Sequence, residues 1–465
     1  MLRLLPALIL ALQIVPALTE PALADAGAHG RLDRALGVPD ELHFELTHRT
    51  RFEPQRNPLH ADGPAATEGA LFLRTTALLS ADWRWLGLTF EGIDARAPVA
   101  DPAVALSPSM VNPTDVLQAN ARLEAKGLMG PGSALWVHAG RLTLDLGGRR
   151  LLARNRFRNT INAFTGVDAG LEHPALGILR LVTLAPVRRL PREPEALQAN
   201  DGEPDETSWG VLLAGLHFTR PDLPGALRLD ASLLALHERD SADRPTTRDR
   251  RHVTASLRLF RAPAPGRLDA EVQAVGQFGR SRATSAAEDT LDLAHRAGFV
   301  HLAAGFTLPH VTRPRLALMY DLASGDADPN DGINGRFDTL FGARRFELGP
   351  TGTFGLLARS NLESVAVRVS GRPLPSLSGD LTWRPAWLAQ AKDAWTSTGL
   401  RDPSGRAGRF IGHQLDSRVR WQLVPRTVRL EGGAAWFWFG AFPQRVGPER
   451  AVLAQYGYLQ LAVRI

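Results

Sequence analysis

A chain of 465 residues without a cysteine forms no disulfide, thiolate metal site or thiol nucleophile, and its length suits either two or three soluble domains or one large barrel. The formal net charge is +6, and of the 54 basic residues only Lys126 and Lys392 are lysine. A mean hydropathy of −0.12 with no apolar run of about 18 residues beyond the N-terminus excludes helical membrane spans, and the absence of a basic-aromatic or helical reading motif argues against nucleic acid despite a pI of 10.4.

Residues 1–24 read as a secretory signal peptide, with Arg3 as the positive start, an apolar run over 4–18 and Ala22-Leu23-Ala24 as a small-residue cleavage site. The remainder, 25–465, reads as one domain. Its first strand is expected over 42–53, where Leu42, Phe44 and Leu46 alternate with His43, Glu45, Thr47, Arg49 and Arg51. Further strands are expected at 69–80, 83–95, 115–125, 133–142, 162–170, 176–187, 208–218, 226–238, 251–261, 267–280, 295–308, 313–326, 360–371, 376–388, 411–423, 427–441 and 451–465, which makes eighteen.

The strand over 411–423 shows the pattern most clearly. Leu415, Ser417, Val419, Trp421 and Leu423 form one face; Gln414, Asp416, Arg418, Arg420 and Gln422 form the other. A period of two sustained over ten or more residues is what a tilted strand needs to face lipid on one side and water on the other, whereas soluble strands are usually about five or six residues long.

The connections are sorted by parity. Short, Pro- or Gly-rich turns (127–133, 219–225, 262–266, 372–376, 424–426) alternate with long segments (54–68, 96–114, 188–207, 239–250, 281–294, 327–359, 389–410). Alternation of this kind predicts an all-β fold, a transmembrane antiparallel β-barrel of about 18 strands with short periplasmic turns and long extracellular loops, in the outer membrane of a Gram-negative cell.

The same alternation predicts a lumen lined by Arg49, Arg51, Arg74, Arg141, Arg228, Arg258, Arg368, Arg384, Arg418, Arg420 and Arg429, accompanied by Glu45, Asp230, Asp269, Glu271, Asp380, Asp416 and Glu431. Such arginines guide anions, brace neighbouring strands, or do both. No enzyme is expected: His43, His138, His252, His301 and His413 fall on separate strands, and no zinc-spaced histidine pair appears. Asp326-x-Asp328-x-Asn330 starts like a calcium loop, but Asp331 stands where glycine is needed and Phe337 where the twelfth ligand should be. A solvated acidic turn is expected there, with no cofactor or metal.

Two stretches carry a resemblance. The segment GRLTLDLGGRRLLARNRFRNTINAFTGVDAG (140–170) and the acidic segment YDLASGDADPNDGINGRFDTLFGARR (320–345), continued by RSNLESVAVRVSG (359–371), resemble the alginate-export family. The chain departs from that family in ending at Ile465 and in Thr165-Gly166-Val167. The resemblance implies an eighteen-stranded channel for passive export of an anionic polysaccharide such as alginate; the alternative is a porin for small anions or sugar acids. The expected partners are that polysaccharide or sugar acid, outer-membrane lipid and lipopolysaccharide, and periplasmic export components, around a monomeric barrel.

The two resembling loops are opposite in charge. Arg149, Arg150, Arg154, Arg156 and Arg158 lie in one, and Asp326, Asp328, Asp331 and Asp338 in the other. Mutual pairing, which would gate the pore, is one expectation; contact of the basic loop with lipopolysaccharide phosphates outside the barrel is the other.

Overall fold

The computed structural model describes residues 37–465 except 57–58, 60–67, 242–243 and 448–451, so the expected signal peptide lies outside the described residues. The barrel strands are β1 (Leu42–Arg56), β2 (Glu68–Asp82), β3 (Leu86–Ala100), β4 (Asn112–Lys126), β5 (Ala134–Leu142), β6 (Phe164–His173), β7 (Gly177–Arg188), β8 (Val211–Leu223), β9 (Leu227–Glu238), β10 (Arg251–Arg261), β11 (Leu268–Ser281), β12 (Leu293–Thr307), β13 (Arg315–Ala323), β14 (Leu362–Leu374), β15 (Leu377–Trp387), β16 (Phe410–Val424), β17 (Val428–Phe439) and β18 (Leu453–Arg464). Each pairs antiparallel with the next, and β18 returns to β1 with Leu461 opposite Thr50 and Gln460 opposite Arg51. Closure leaves no sheet edge, so the backbone polar groups of the spanning strands pair within the wall rather than facing lipid.

The faces are inverted relative to a soluble protein. Phe90, Leu181, Leu233, Leu257, Phe278, Leu318 and Val419 are exposed on the outside, while Glu45, Arg51, Asp230, Gln277, Asp321, Arg384 and Asp416 are buried inside. Trp83 and Trp85 near the short turns and Trp438 near the long loops are exposed at the two ends of the apolar band, where amphipathic rings favour the membrane–water boundary.

The short connections lie at one end and the long ones at the other, as the parity of the loops predicts. In its outer half the lumen contains an apolar core. Leu146, Leu151, Leu152 and Phe337 from the long loops pack on inward-facing Val182, Leu184, Leu213, Leu234, Leu236, Val275 and Phe299. A second cluster packs Phe354, Leu356, Leu357, Trp395 and Phe442 against Phe437 and Tyr456. Burial at about 1.5–3 kcal/mol per large apolar side chain is what draws the loops inward. In its inner half the lumen wall reverts to charge, with Arg418, Arg420, Asp380 and Glu431 facing the interior.

Candidate functional site: a charged lumen clasped by two loops

The loop over 143–163, between β5 and β6, and the loop over 324–361, between β13 and β14, enter the barrel together. Their backbones form a short ladder: Phe341 N–H donates to Leu151 O at 2.9 Å, Ala153 N–H to Phe341 O at 3.1 Å and Ala343 N–H to Arg149 O at 2.9 Å. Gly342 sits where the loops are closest, and a Cβ there would lie 1.8 Å from the Arg150 carbonyl oxygen, a backbone atom that cannot swing aside. A two-residue piece, Ile333–Asn334, lies parallel to the start of β12 and fixes the second loop to the wall.

Side chains lock what the backbone aligns. Arg150 Nε donates to Glu347 Oε2 at 3.1 Å, and Nη1 donates to Glu271 Oε1 at 2.5 Å and Gln273 Oε1 at 2.6 Å. Arg359 also pairs with Glu347. Burial opposes the Glu347 charge, yet Arg150, Arg359 and His301 together hold its carboxyl well below the usual carboxylate range. His301 Nδ1 lies 2.7 Å from Asp321 and its Nε2 3.8 Å from Glu347, while Arg384 Nη1 is 2.8 Å from the other Asp321 oxygen. The three residues His301, Asp321 and Glu347 have the composition of a metal site. Arg150, Arg359 and Arg384 already match both carboxylates, so a divalent ion would have to displace guanidinium groups, and the cluster is an ion-pair network instead.

The wall holds the basic loop by its carbonyls. Arg49 donates to the Arg156, Phe157 and Arg158 carbonyl oxygens at 3.0–3.2 Å and to Asn159 Oδ1 at 2.9 Å. Arg74 donates to the Arg156 and Arg158 oxygens, each at 3.0 Å. Arg51 donates to the Phe157 oxygen at 2.5 Å and pairs with Glu53. A neutral carbonyl satisfies a guanidinium without cancelling its charge, so this part of the lumen stays strongly positive.

Loop arginines add to that field. Burial, then Arg158 and Arg359, pushes Arg344 down to about 9; burial, then Arg158, pushes Arg189 down to about 10. Arg344 donates to the Gly355 carbonyl, and Arg189 to the Ile161 carbonyl and Asn162 Oδ1.

The expected lumen residues separate into three groups. Arg49, Arg51, Arg74 and Arg384 surround the inserted loops. Arg258 joins Asp230 at 2.8 Å and Glu271 at 2.7 Å, and Arg368 donates to Thr382 Oγ1 at 2.8 Å. Arg228, Arg418, Arg420 and Arg429 face the inner half, where Asp380 lies 3.1 Å from Arg418 and 3.8 Å from Arg420, and Glu431 4.0 Å from Arg429. Arg141 is an exception. It stands opposite Ala119 and Thr165, in the outward register, because Gly140 rather than Arg141 takes the inward place; its guanidinium clamps Asp115 and the Val116 and Asp205 carbonyls.

The pairing expected between the two loops takes a different form. Arg150 meets Glu347, not an aspartate of the acidic turn. Arg154 bonds Glu91 on β3 at 2.7 and 2.9 Å, and Arg149 lies 4.8 Å from the Phe346 ring centroid. Asp338 is held by Arg250, 2.8 Å away, with His252 at 3.5 Å. Asp328 and Asp331 cap their own turn through the Asn330 and Ile333 amides, and the Asp326 amide donates to Asp393. Asp338 therefore stands apart from the other aspartates of the segment. The wall contacts of the basic loop lie within the lumen, on the side of the wall away from the lipid. Glu347, Arg359, Arg344, Arg189 and Glu91 were not anticipated; the one signal for the first was a charge set between Phe346 and Leu348 in a loop that also carries Phe337, Phe354, Leu356 and Leu357.

A closed barrel, apolar outside, charged inside and occupied by its own outer loops, is an outer-membrane channel of the porin type. The chain belongs to the alginate-export family, whose model, described as Alginate export, matches residues 40–454. No curated protein matches the sequence. Among solved structures, Acinetobacter baumannii OccAB2 superposes with a TM-score of 0.59 at 12% identity, over 92% of this chain and 98% of that one. Pseudomonas aeruginosa OccK8 (OprE) gives 0.57 at 10% identity, over 92% and 98%. Pseudomonas aeruginosa OccK2 (OpdF) in complex with glucuronate gives 0.53 at 14% identity, over 92% and 98%. At these identities the likeness is one of fold.

Proposed function

We propose that the barrel passes uronate-bearing carbohydrate passively across the outer membrane, guided by charge, with a linear polyuronate as its cargo and no catalytic step. The observation that carries this reading is the set of interior arginines bonded to carbonyls rather than carboxylates: Arg49 and Arg74 on the wall, Arg189 and Arg344 in the loops. A polymer with one carboxylate per sugar can exchange along such a series without being trapped, because guanidinium forks bind carboxylates while the carbonyl partners release them at low cost. Membership of the alginate-export family supports the polymer. The extent to which the two loops fill the outer lumen favours a second reading, a porin for single sugar acids, and the glucuronate held by OccK2 is in keeping with it.

Single-channel recording with added uronates of increasing length separates the two. A polyuronate channel should be blocked with an affinity that rises with the number of sugars, and from the periplasmic side most strongly. Equal block by one sugar and by a long oligomer would leave the small-acid reading standing, and no block by either would remove both.

A further inference from the structure

On the outer face of β9 to β12, just above the apolar band, five cationic or titratable side chains stand together. His237, Arg251 and Arg280 occupy one transverse row, opposite one another across three adjacent strands, which places neighbours about 5 Å apart. Arg296, opposite Phe278, flanks the row on the next strand, and Arg239 continues it beyond the end of β9. All five are exposed. Arg251 is held by Asp249 at 2.5 Å; among the described residues no ion pair or side-chain hydrogen bond engages Arg239, Arg280 or Arg296.

The apolar surface directly below belongs to the same strands: Leu233, Val253, Leu257, Phe278 and Val272 are all exposed. At the outer ends of β15 to β17 the outward positions are aromatic instead, with Trp387 near Phe410 and with Trp383 stacked on His413. The cations thus set this side apart from the face of β15 to β17, where Arg409 is paired with Glu363, and they stand at the level of lipid headgroups with a surface for acyl chains beneath. Arginines at an apolar boundary attract phosphate, which they bind as planar forks; Arg251, engaged by Asp249 through Nε and Nη2, keeps Nη1 for such a contact.

We propose that this face is a binding site for a phosphorylated, acylated glycolipid of the outer leaflet, with its phosphates on Arg251, Arg280 and Arg296 and its chains on the strands below.

Native mass spectrometry of the full barrel in detergent, with bisphosphorylated lipid A added, tests the site. Arg251→Glu, Arg280→Glu and Arg296→Glu combined should weaken binding on the order of a hundredfold, each arginine being worth about fivefold near an anionic surface. The equally charged control Arg267→Glu, Arg313→Glu and Arg372→Glu, at the opposite end of the barrel, should bind as the parent does. Dephosphorylated lipid A should bind weakly and inorganic phosphate should not compete. Retained binding in the first variant, equal binding of the dephosphorylated lipid, equal binding of phosphatidylglycerol, or displacement by inorganic phosphate would each overturn the proposal. Heat-modifiable mobility reports folding; if the triple variant does not fold, Arg280→Glu alone must still weaken binding severalfold.

Discussion

Arg150 and Glu347, 197 residues apart in the chain, meet inside the barrel and join its two inserted loops. Neither residue touches solvent to any extent, at 3% and 5% exposure, so the pair is closer to a core contact than to a surface salt bridge. Removing one partner of a buried pair leaves the other uncompensated, which costs about 3–5 kcal/mol. Glu347→Gln should be the more damaging change, because it takes the carboxylate from Arg359 as well as from Arg150, which keeps Glu271, whereas Arg150→Met leaves Glu347 still paired with Arg359. Both Glu347→Gln and Arg150→Met are expected to lower the thermal transition in detergent and to raise conductance and open-channel noise. In a double-mutant cycle the effects should fall well short of additive. Independent effects on stability and unchanged conductance would show that the pair does not hold the loops.

The backbone ladder beside that pair gives a sharper test, because it involves no charge. Gly342→Ala inserts one methyl group against the Arg150 carbonyl, so the two loops must separate. The expected outcome is a wider pore with unaltered ion preference, measured by single-channel conductance and reversal potential in a salt gradient. Unchanged conductance would mean that the loops can shift together without opening a path.

Most of the wall was legible in the sequence because a strand facing lipid and water writes its two environments into alternate residues, as Leu415 to Leu423 show. The loops were not. Loop residues have no period, so nothing in the order of Arg149 to Arg158 says that the segment turns into the lumen, and Glu347 finds Arg150 only through tertiary packing. A partial signal did exist: Leu234 and Leu236 stand at inward positions of β9, where a water-filled pore would have polar side chains, and they contact the inserted Leu151 cluster. Arg141 shows the opposite failure. Its strand is right, but the register about Gly140 reverses the side it faces.

The loop over 189–210 should respond to pH through Asp205. Burial, and then the neighbouring charge of Asp115, raises its carboxyl to about 6, while its oxygens accept from the Leu190 amide at 2.9 Å and Asn112 at 2.8 Å. A carboxyl raised in the folded state binds its proton more tightly there than when unfolded. Anchoring of the loop therefore strengthens as pH falls from above 6 toward the ordinary aspartate range, and weakens as pH rises through 6. Protease cleavage within 189–210 should be faster at pH 7 than at pH 5 (about one unit either side of 6), and Asp205→Asn should remove the difference. A difference that survives the substitution would assign it to another group.

Ion preference should follow the inner half of the lumen, where arginines outnumber their carboxylate partners. Arg418 and Arg420 share Asp380, so replacing both with Glu changes the local charge by four and places three carboxylates together. The parent pore should favour anions, and the double variant should lose or reverse that preference in a salt gradient. Equal permeability in both would leave these arginines as braces.

Arg49 allows field and brace to be told apart at one position. Its guanidinium spreads two nitrogens over three successive carbonyls and Asn159, a planar fork that lysine cannot reproduce, although lysine keeps the charge. Three neighbouring hydrogen bonds to one stretch of backbone fix the depth of the basic loop, and Arg74 reaches two of the same carbonyls from β2. If Arg49 works only through charge, Arg49→Lys should leave conductance, anion preference and oligouronate block as they are. The geometry predicts otherwise: anion preference kept, because the charge is kept, but larger and noisier conductance and weaker length-dependent block, because the loop is no longer held against the wall. Arg49→Gln should show the same loosening with reduced anion preference as well. Identical behaviour of the lysine variant and the parent in all three measurements would reduce the hydrogen bonds at Arg49 to incidental contacts and return the channel's selectivity to electrostatics alone.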